Sequence, residues 1–202
     1  MPASASEWNA KYRAAAEEPP AEPAAFVREL LPLLPLGPGL DLACGTGRHA
    51  LLLAARHQPV IAVDSSAIAL EILEQRAQAA HCAVTRVERA AQVANRRHGI
   101  QLWQVDLEEI SLPTQAFSVV LCVNYLQRSL FPQIERALIP GGVLLFETYT
   151  VAQLECKGGP RNANYLLELG ELRTAFPALR GLFYRELRAG KGIASLIAKK
   201  PI

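Results

Sequence analysis

Asp41, Gly45, Gly47, Asp64, Asp106 and Asn124 are the residues of this 202-residue chain whose types and spacing could do chemistry. The first three lie in Leu40-Asp41-Leu42-Ala43-Cys44-Gly45-Thr46-Gly47-Arg48-His49, between a Pro/Gly-rich lead-in and the apolar run 50–55. That pattern predicts a strand, a glycine turn and the start of a helix. Glycines there let a ligand approach bare backbone at the carboxyl end of the strand and meet the free N–H groups of the next helix. Asp64 closes the β-branched run Pro59-Val60-Ile61-Ala62-Val63. It stands about twenty residues beyond the glycines, where a carboxylate can accept both hydrogen bonds of a ribose diol. A third apolar run, 100–105, leads into Asp106-Leu107-Glu108, and a fourth, 117–124, ends at Asn124.

The glycine turn alone admits two cofactors, because Gly45-Thr46-Gly47-Arg48-His49-Ala50 also fits the dinucleotide fingerprint G-x-G-x-x-G/A. A carboxylate just ahead of the glycines would repel a pyrophosphate, and Asp41 occupies that place. S-adenosylmethionine brings an ammonium and a sulfonium instead. With Leu40, the segment resembles motif I of the class I S-adenosylmethionine-dependent methyltransferases. Phe117-Ser118-Val119-Val120-Leu121-Cys122-Val123-Asn124 resembles motif IV. Arg136-Ala137-Leu138-Ile139-Pro140-Gly141-Gly142-Val143-Leu144-Leu145 resembles the helix, turn and fifth strand that follow. The likeness spans residues 40–150, and its ordered spacing is more specific than any single glycine loop.

The resemblance implies S-adenosyl-L-methionine as cofactor. Asp41 would face its methionine end, and Ala43, Cys44, Gly45 and Gly47 would offer small size and bare backbone. Asp64, with Ser65 beside it, would hold the ribose. Asp106 would accept the adenine amino group with Leu107 against the base, while Asn124 and Tyr125 would reach the crevice from the end of strand four. The implied activity is methyl transfer by in-line displacement to a small-molecule acceptor, in the small-molecule or tellurite-resistance-like branch. Two other readings stand beside it. One is an NAD-linked oxidoreductase, which Asp41 disfavours; the other is a non-catalytic S-adenosylmethionine-binding module.

Specificity must come from segments outside the cofactor loop. Trp8-Asn9-Ala10-Lys11-Tyr12-Arg13 looks like the aromatic N-terminal cap of that branch, with Trp8 and Tyr12 on one helical face. Tyr12 is expected beside the cofactor, although packing alone would also explain both rings. Glu147-Thr148-Tyr149 and the loop 158–164 read as a substrate lid. Glu147, Tyr149 and Arg161 are the expected catalytic, substrate-side residues. Glu147 could take a proton or orient a nucleophile, a hydrogen-bonded structural role being its other reading, and Arg161 could bind an anionic substrate. Arg48 and His49 either cap the helix or stand beside the ligand. Asn124-Tyr125-Leu126-Gln127 lacks the paired prolines of the DPPY-like tetrads that mark many nucleic-acid amino methylases.

The elements that must carry these residues alternate strand and helix. They predict a Rossmann-like α/β three-layer sandwich with helices on both faces. The resemblance implies a seven-stranded, mostly parallel sheet of order 3-2-1-4-5-7-6, with 183–187 and 193–198 as its last strands around a turn at 190–192. Helices are expected at 6–16, 24–31 and 67–80, the last opened by Ser65 and Ser66, with a Pro-rich joint at 18–23. Residues 1–36 read as an N-terminal helical cap and 37–202 as the cofactor-binding domain. The long connection 79–99 is expected to extend or add a helix.

Composition bounds the rest. Half of the residues are hydrophobic and the formal charge is +2, which gives no case for a nucleic-acid surface. The richest basic stretch, Arg86, Arg89, Arg96 and Arg97, is interrupted by Glu88 and reads as a solvated face. Cysteines at 44, 82, 122 and 156 have neither metal-ligand nor disulfide-framework spacing, so no metal and a reducing, cytoplasmic setting are expected. Neither a signal peptide nor a membrane-spanning run is visible. The oligomeric state is left open.

Overall fold

The structure, a computed structural model, describes residues 4–14, 22–88 and 98–202. Eight strands form one sheet: β1 Gly39–Leu42, β2 Pro59–Asp64, β3 Val84–Val87, β4 Gly99–Gln104, β5 Phe117–Val123, β6 Leu138–Tyr149, β7 Arg180–Leu187 and β8 Ile193–Lys199. Their order is β3-β4-β2-β1-β5-β6-β8-β7. The pairs from β3 to β6 are parallel, and β8 runs antiparallel to both β6 and β7. The helices are α1 Ala5–Ala14, α2 Ala25–Leu30, α3 Arg48–Ala54, α4 Ala67–Ala79, α5 Phe131–Ala137 and α6 Glu171–Thr174.

Strand alternation divides the core into two layers, because successive side chains point to opposite faces. On β6, Leu144 and Phe146 join Leu40, Val63 and Ile134 of α5 on one face. Val143 and Leu145 join Phe26 of α2, Leu53 of α3 and Leu73 of α4 on the other. Full burial of a residue such as Leu73 stabilises by roughly 1.5–3 kcal/mol. The expected three-layer sandwich with helices on both faces is therefore present. α1 lies against the start of α4 without burying any of its own residues.

The expected seven strands keep their relative order, and β3 is added outside them at the edge beyond β4. This corrects the seven-stranded sheet; of the connection 79–99, where an extended or added helix is expected, residues 84–87 are strand and 89–97 lie outside the described residues. The β-branched alternation Val84-Thr85-Arg86-Val87 pairs parallel to β4. α4 stops at Ala79 because His81 adopts a left-handed backbone (φ 54°). The His81 N–H donates to Gln78 O and the Cys82 N–H to Ala77 O, a helix stop normally made with glycine. Residues 15 and 16 of the first expected helix, positions 18–21 of the Pro-rich joint, and Arg89, Arg96 and Arg97 lie outside the described residues.

β1 lies between β2 and β5, so the chain leaves it on one side and returns on the other. That reversal opens a crevice at the carboxyl ends of the strands. Both exits there are left-handed at non-glycine residues, Ala43 (φ 51°) after β1 and Asn124 (φ 61°) after β5. Each such residue costs on the order of 1–2 kcal/mol, and strain of this kind gathers where backbone must face a ligand.

Candidate functional site

The crevice is a cleft of about 810 Å³. Its floor is the turn after β1, where Ala43, Cys44 and Gly45 line the space. Gly45 has φ 54°, and a Cβ there would come within 2.7 Å of Tyr12 Oη. Asp64, at the tip of β2, fixes this turn: its Oδ2 accepts from the Gly45 N–H (2.8 Å) and its Oδ1 from the Ser66 N–H (2.9 Å). Burial raises the Asp64 carboxyl above the ordinary carboxylate value, and the backbone N–H groups of Ser66, Gly45 and Ser65 oppose that rise. Ser65 lines the cleft beside it.

Asp106 and Leu107 line the same space from beyond β4, where Asp106 Oδ1 accepts from the Glu108 N–H at 2.9 Å. Asn124 and Tyr125 enter from the end of β5. Asn124 is held by its N–H, which donates to Glu147 O at 2.8 Å, and Tyr125 Oη donates to Gln127 Oε1 at 2.6 Å. Tyr12 reaches the cleft from α1, its phenol pushed up by burial and by the nearby Asp64. Tyr149 and Arg161 line the cleft as well. The Arg161 guanidinium donates to Leu154 O (2.6 Å) and Cys156 O (2.5 Å), which anchors the loop that carries it.

Three expected site residues do not line the cleft. Asp41 is 1 % exposed, and burial pushes its carboxyl up to about 7 against the opposing pull of the Ala50 N–H. Its Oδ2 has no partner, so Asp41 lies beneath the turn. Gly47 is the left-handed residue (φ 79°) before α3, and a Cβ there would meet Leu73 Cδ1 at 2.0 Å. Its small size therefore serves helix packing. Glu147 is turned into the sheet: Ser195 Oγ donates to Glu147 Oε2 at 2.5 Å, and Arg185 pairs with the same oxygen at 3.5 Å. Of its two readings, the hydrogen-bonded structural one describes the geometry.

Arg48 and His49 both line the cleft. His49 is also an anchor, because its Nε2 accepts from the Ala24 N–H at 3.1 Å. Burial and the adjacent Arg48 push this imidazole down to about 3. Arg13 is exposed and outside the lining. Sequence reasoning missed Glu7 and Tyr165 and named Thr148 only as part of the lid segment, with no role of its own; all three line the cleft. Alternation on β6 could have found Thr148, which follows Phe146 on its face, and Glu7 and Lys11 lie four apart on α1 beside Trp8. It also missed Asn9, whose Oδ1 accepts from Ser66 Oγ (2.7 Å) and the Ile68 N–H (3.3 Å), docking α1 on the start of α4.

Comparison with known proteins bears on this geometry. A family model described as a methyltransferase domain matches residues 40–146. The malonyl-[acyl-carrier protein] O-methyltransferase of Herminiimonas arsenicoxydans is 32% identical over 137 residues, which cover 65% of this chain and 44% of that protein. The chain thus spans less than half the length of that curated relative. Among solved structures, TehB from Haemophilus influenzae aligns with a TM-score of 0.70 at 14% identity, over 96% of this chain and 67% of its own. An S-adenosylmethionine-dependent methyltransferase from Mesorhizobium loti aligns with a TM-score of 0.65 at 19% identity, over 88% of this chain and 98% of its own.

Proposed function

The chain belongs to the methyltransferase domain family, of the class I S-adenosylmethionine-dependent type, and from that premise we propose that it methylates a small-molecule acceptor in the cleft above β1. One observation carries the reading: the bare backbone of Gly45, the doubly bonded carboxylate of Asp64 and the carboxylate of Asp106 converge on one space. The donor set fits S-adenosylmethionine. Its cationic centres suit a cleft that holds Asp64, Asp106 and Glu108, whereas a dinucleotide's pyrophosphate would face those carboxylates. Asp64 would hold the ribose hydroxyls, Asp106 and Leu107 the adenine, and Asn124 with Tyr12 the span between them and the acceptor.

When bound, the cofactor supplies a methyl group already activated on sulfur. The protein's part is then to orient the acceptor and exclude water, and such positioning can lower a barrier by several kcal/mol without a catalytic triad. Tyr149 and Arg161 face the space left for that acceptor. All four cysteines are free, which fits a reducing, cytoplasmic setting. Among the described residues, no helix is long and apolar enough to cross a membrane.

Calorimetry with S-adenosylhomocysteine and with NAD tests the reading. The thioether is expected to bind and NAD to give no heat; the reverse result would remove the proposal. Asp64→Ala in folded protein is expected to weaken S-adenosylhomocysteine binding by about 2 kcal/mol, the loss of a charged hydrogen-bond acceptor. Unchanged affinity would withdraw the ribose role from Asp64.

A further inference from the structure

Glu108 apart, which lines the cleft beyond Asp106, the groups of this region that could remove a proton are committed to other partners. The Glu147 carboxylate of β6 is turned away and held by Ser195 and Arg185. His49 is the imidazole of the lining, and the Nε2 it would need as a base already accepts from Ala24. Glu7 accepts from the N–H and the hydroxyl of Ser4, bonds that hold its carboxyl below the usual range and make it a weak base. Tyr125 has committed its own proton to Gln127.

Cations line the cleft too, Arg161 and Lys11 among them, with aromatic rings in the same lining. Arg161 is clamped onto two backbone carbonyls, so its guanidinium is held at the cleft with its remaining N–H groups free for a ligand. Lys11 Nζ lies 4.3 Å from the Trp8 ring centroid, and both residues line the cleft from α1. Tyr149 and Tyr165 add flat apolar surface to the lining. A guanidinium whose geometry is fixed in advance suits a planar anion, because little side-chain freedom is left to lose on binding.

We propose that the acceptor is a small organic carboxylate with an aromatic or apolar body, held by Arg161 and Lys11 and methylated on a carboxylate oxygen. The inference rests on the methyl-transfer reading above. A lone pair of the carboxylate oxygen forms the new C–O bond as the C–S bond breaks, and the C–S pair stays on sulfur. The products are a methyl ester and a neutral thioether. Anion and sulfonium lose their charges together, and no proton has to leave, so Glu147, His49, Glu7 and Tyr125, each bonded to another partner, are not called on as bases. An alcohol or an ammonium acceptor would have a proton to lose.

The probes are phenylacetate and its alcohol counterpart 2-phenylethanol, titrated into the full-length protein saturated with S-adenosylhomocysteine. Phenylacetate is expected to bind at least tenfold more tightly than the alcohol. Arg161→Gln should abolish that preference while leaving S-adenosylhomocysteine affinity within twofold, and Arg161→Lys should restore part of it. Because Arg161 also anchors its loop, Lys11→Gln provides a second variant, expected to reduce the preference severalfold. Equal binding of acid and alcohol, no binding of the acid, or an undiminished preference in both Gln variants overturns the carboxylate assignment. Failure of S-adenosylhomocysteine to bind overturns the methyl-transfer reading itself. With methyl-labelled cofactor and a small-molecule cell extract, the label should be released as methanol by alkali; base-stable label overturns the ester and leaves methyl transfer standing.

Discussion

The cleft has two walls built in opposite ways. On the cofactor side, the turn after β1 and the tip of β2 are held by hydrogen bonds between buried groups, Gly45 to Asp64 and Ser66 to Asp64. On the acceptor side stand α1, with no buried residue, and residues 159–162, mostly exposed and anchored through Arg161. A wall held from beneath presents one fixed geometry to a ligand that does not vary. A wall of exposed helix and loop can change its side chains without disturbing the core, which is what acceptor specificity requires.

Glycine substitution is expected to separate the walls most sharply. Gly47→Ala places a Cβ 2.0 Å from Leu73 Cδ1 at φ 79°, adding left-handed strain of about 1–2 kcal/mol to overpacking of about 1–3 kcal/mol. Gly158 is also left-handed (φ 69°), but a Cβ there meets nothing within 4 Å, so Gly158→Ala carries only the strain. Urea unfolding should therefore show Gly47→Ala losing about 4 kcal/mol and Gly158→Ala about 1 kcal/mol. Equal losses would break the contrast.

Within the cofactor wall, two buried titrating groups oppose each other. His49 is pushed down to about 3 from its ordinary 6.5. It stays neutral while the unfolded chain gains a proton, so its contribution is complete above pH 6.5 and is lost as pH falls toward 3. Asp41 is pushed up to about 7 from 3.8. It keeps a proton that the unfolded chain gives up, so its contribution is complete below pH 3.8 and is lost as pH rises toward 7. Between about pH 4 and 6.5 the two slopes, each on the order of 1.4 kcal/mol per pH unit, nearly cancel. His49→Phe should leave a stability that rises as the pH falls through that window, and Asp41→Asn one that falls, by about 3 kcal/mol across it. Parallel stability–pH curves for the two variants would show that neither group is perturbed as described.

The same division governs how much could be read from the sequence. Gly45, Asp64 and Asp106 were legible because short turns after buried strands leave a side chain few places to go. Asp41 was legible as a carboxylate near the glycines, but whether it faced the ligand or lay beneath the turn depended on strand parity and on the start of α3. Glu147 misled because the residues that claim its carboxylate, Arg185 and Ser195, come from β7 and β8, far along the chain. The strand β3 was hidden by the absence of glycine after α4, since His81 makes the left-handed stop that glycine usually marks. Tyr165 falls just past the loop expected as a lid, and Asn9 carries no local signal because its partners lie 57 and 59 residues away.

Asn9 is also where the smallest of these effects is expected and where the distinction between the walls can be drawn most finely. The Ser66 hydroxyl accepts from the Ala69 N–H and donates its proton to Asn9 Oδ1, which also accepts from the Ile68 N–H. One amide oxygen thus ties α1, and with it Tyr12 and Trp8, to the helix that begins beside Asp64. Asn9→Ala removes that acceptor at a cost of about 1 kcal/mol, roughly fivefold in S-adenosylhomocysteine affinity, expressed as faster dissociation. The melting temperature of the ligand-free protein should scarcely move, because α1 contributes no buried side chain. Asn9→Asp keeps an acceptor and sets a negative charge at the N-terminus of α4, which the helix dipole favours, so it should retain the affinity that Asn9→Ala loses. If Asn9→Ala instead lowers the melting temperature of the ligand-free protein and spares ligand affinity, α1 belongs with the core rather than with the adaptable wall.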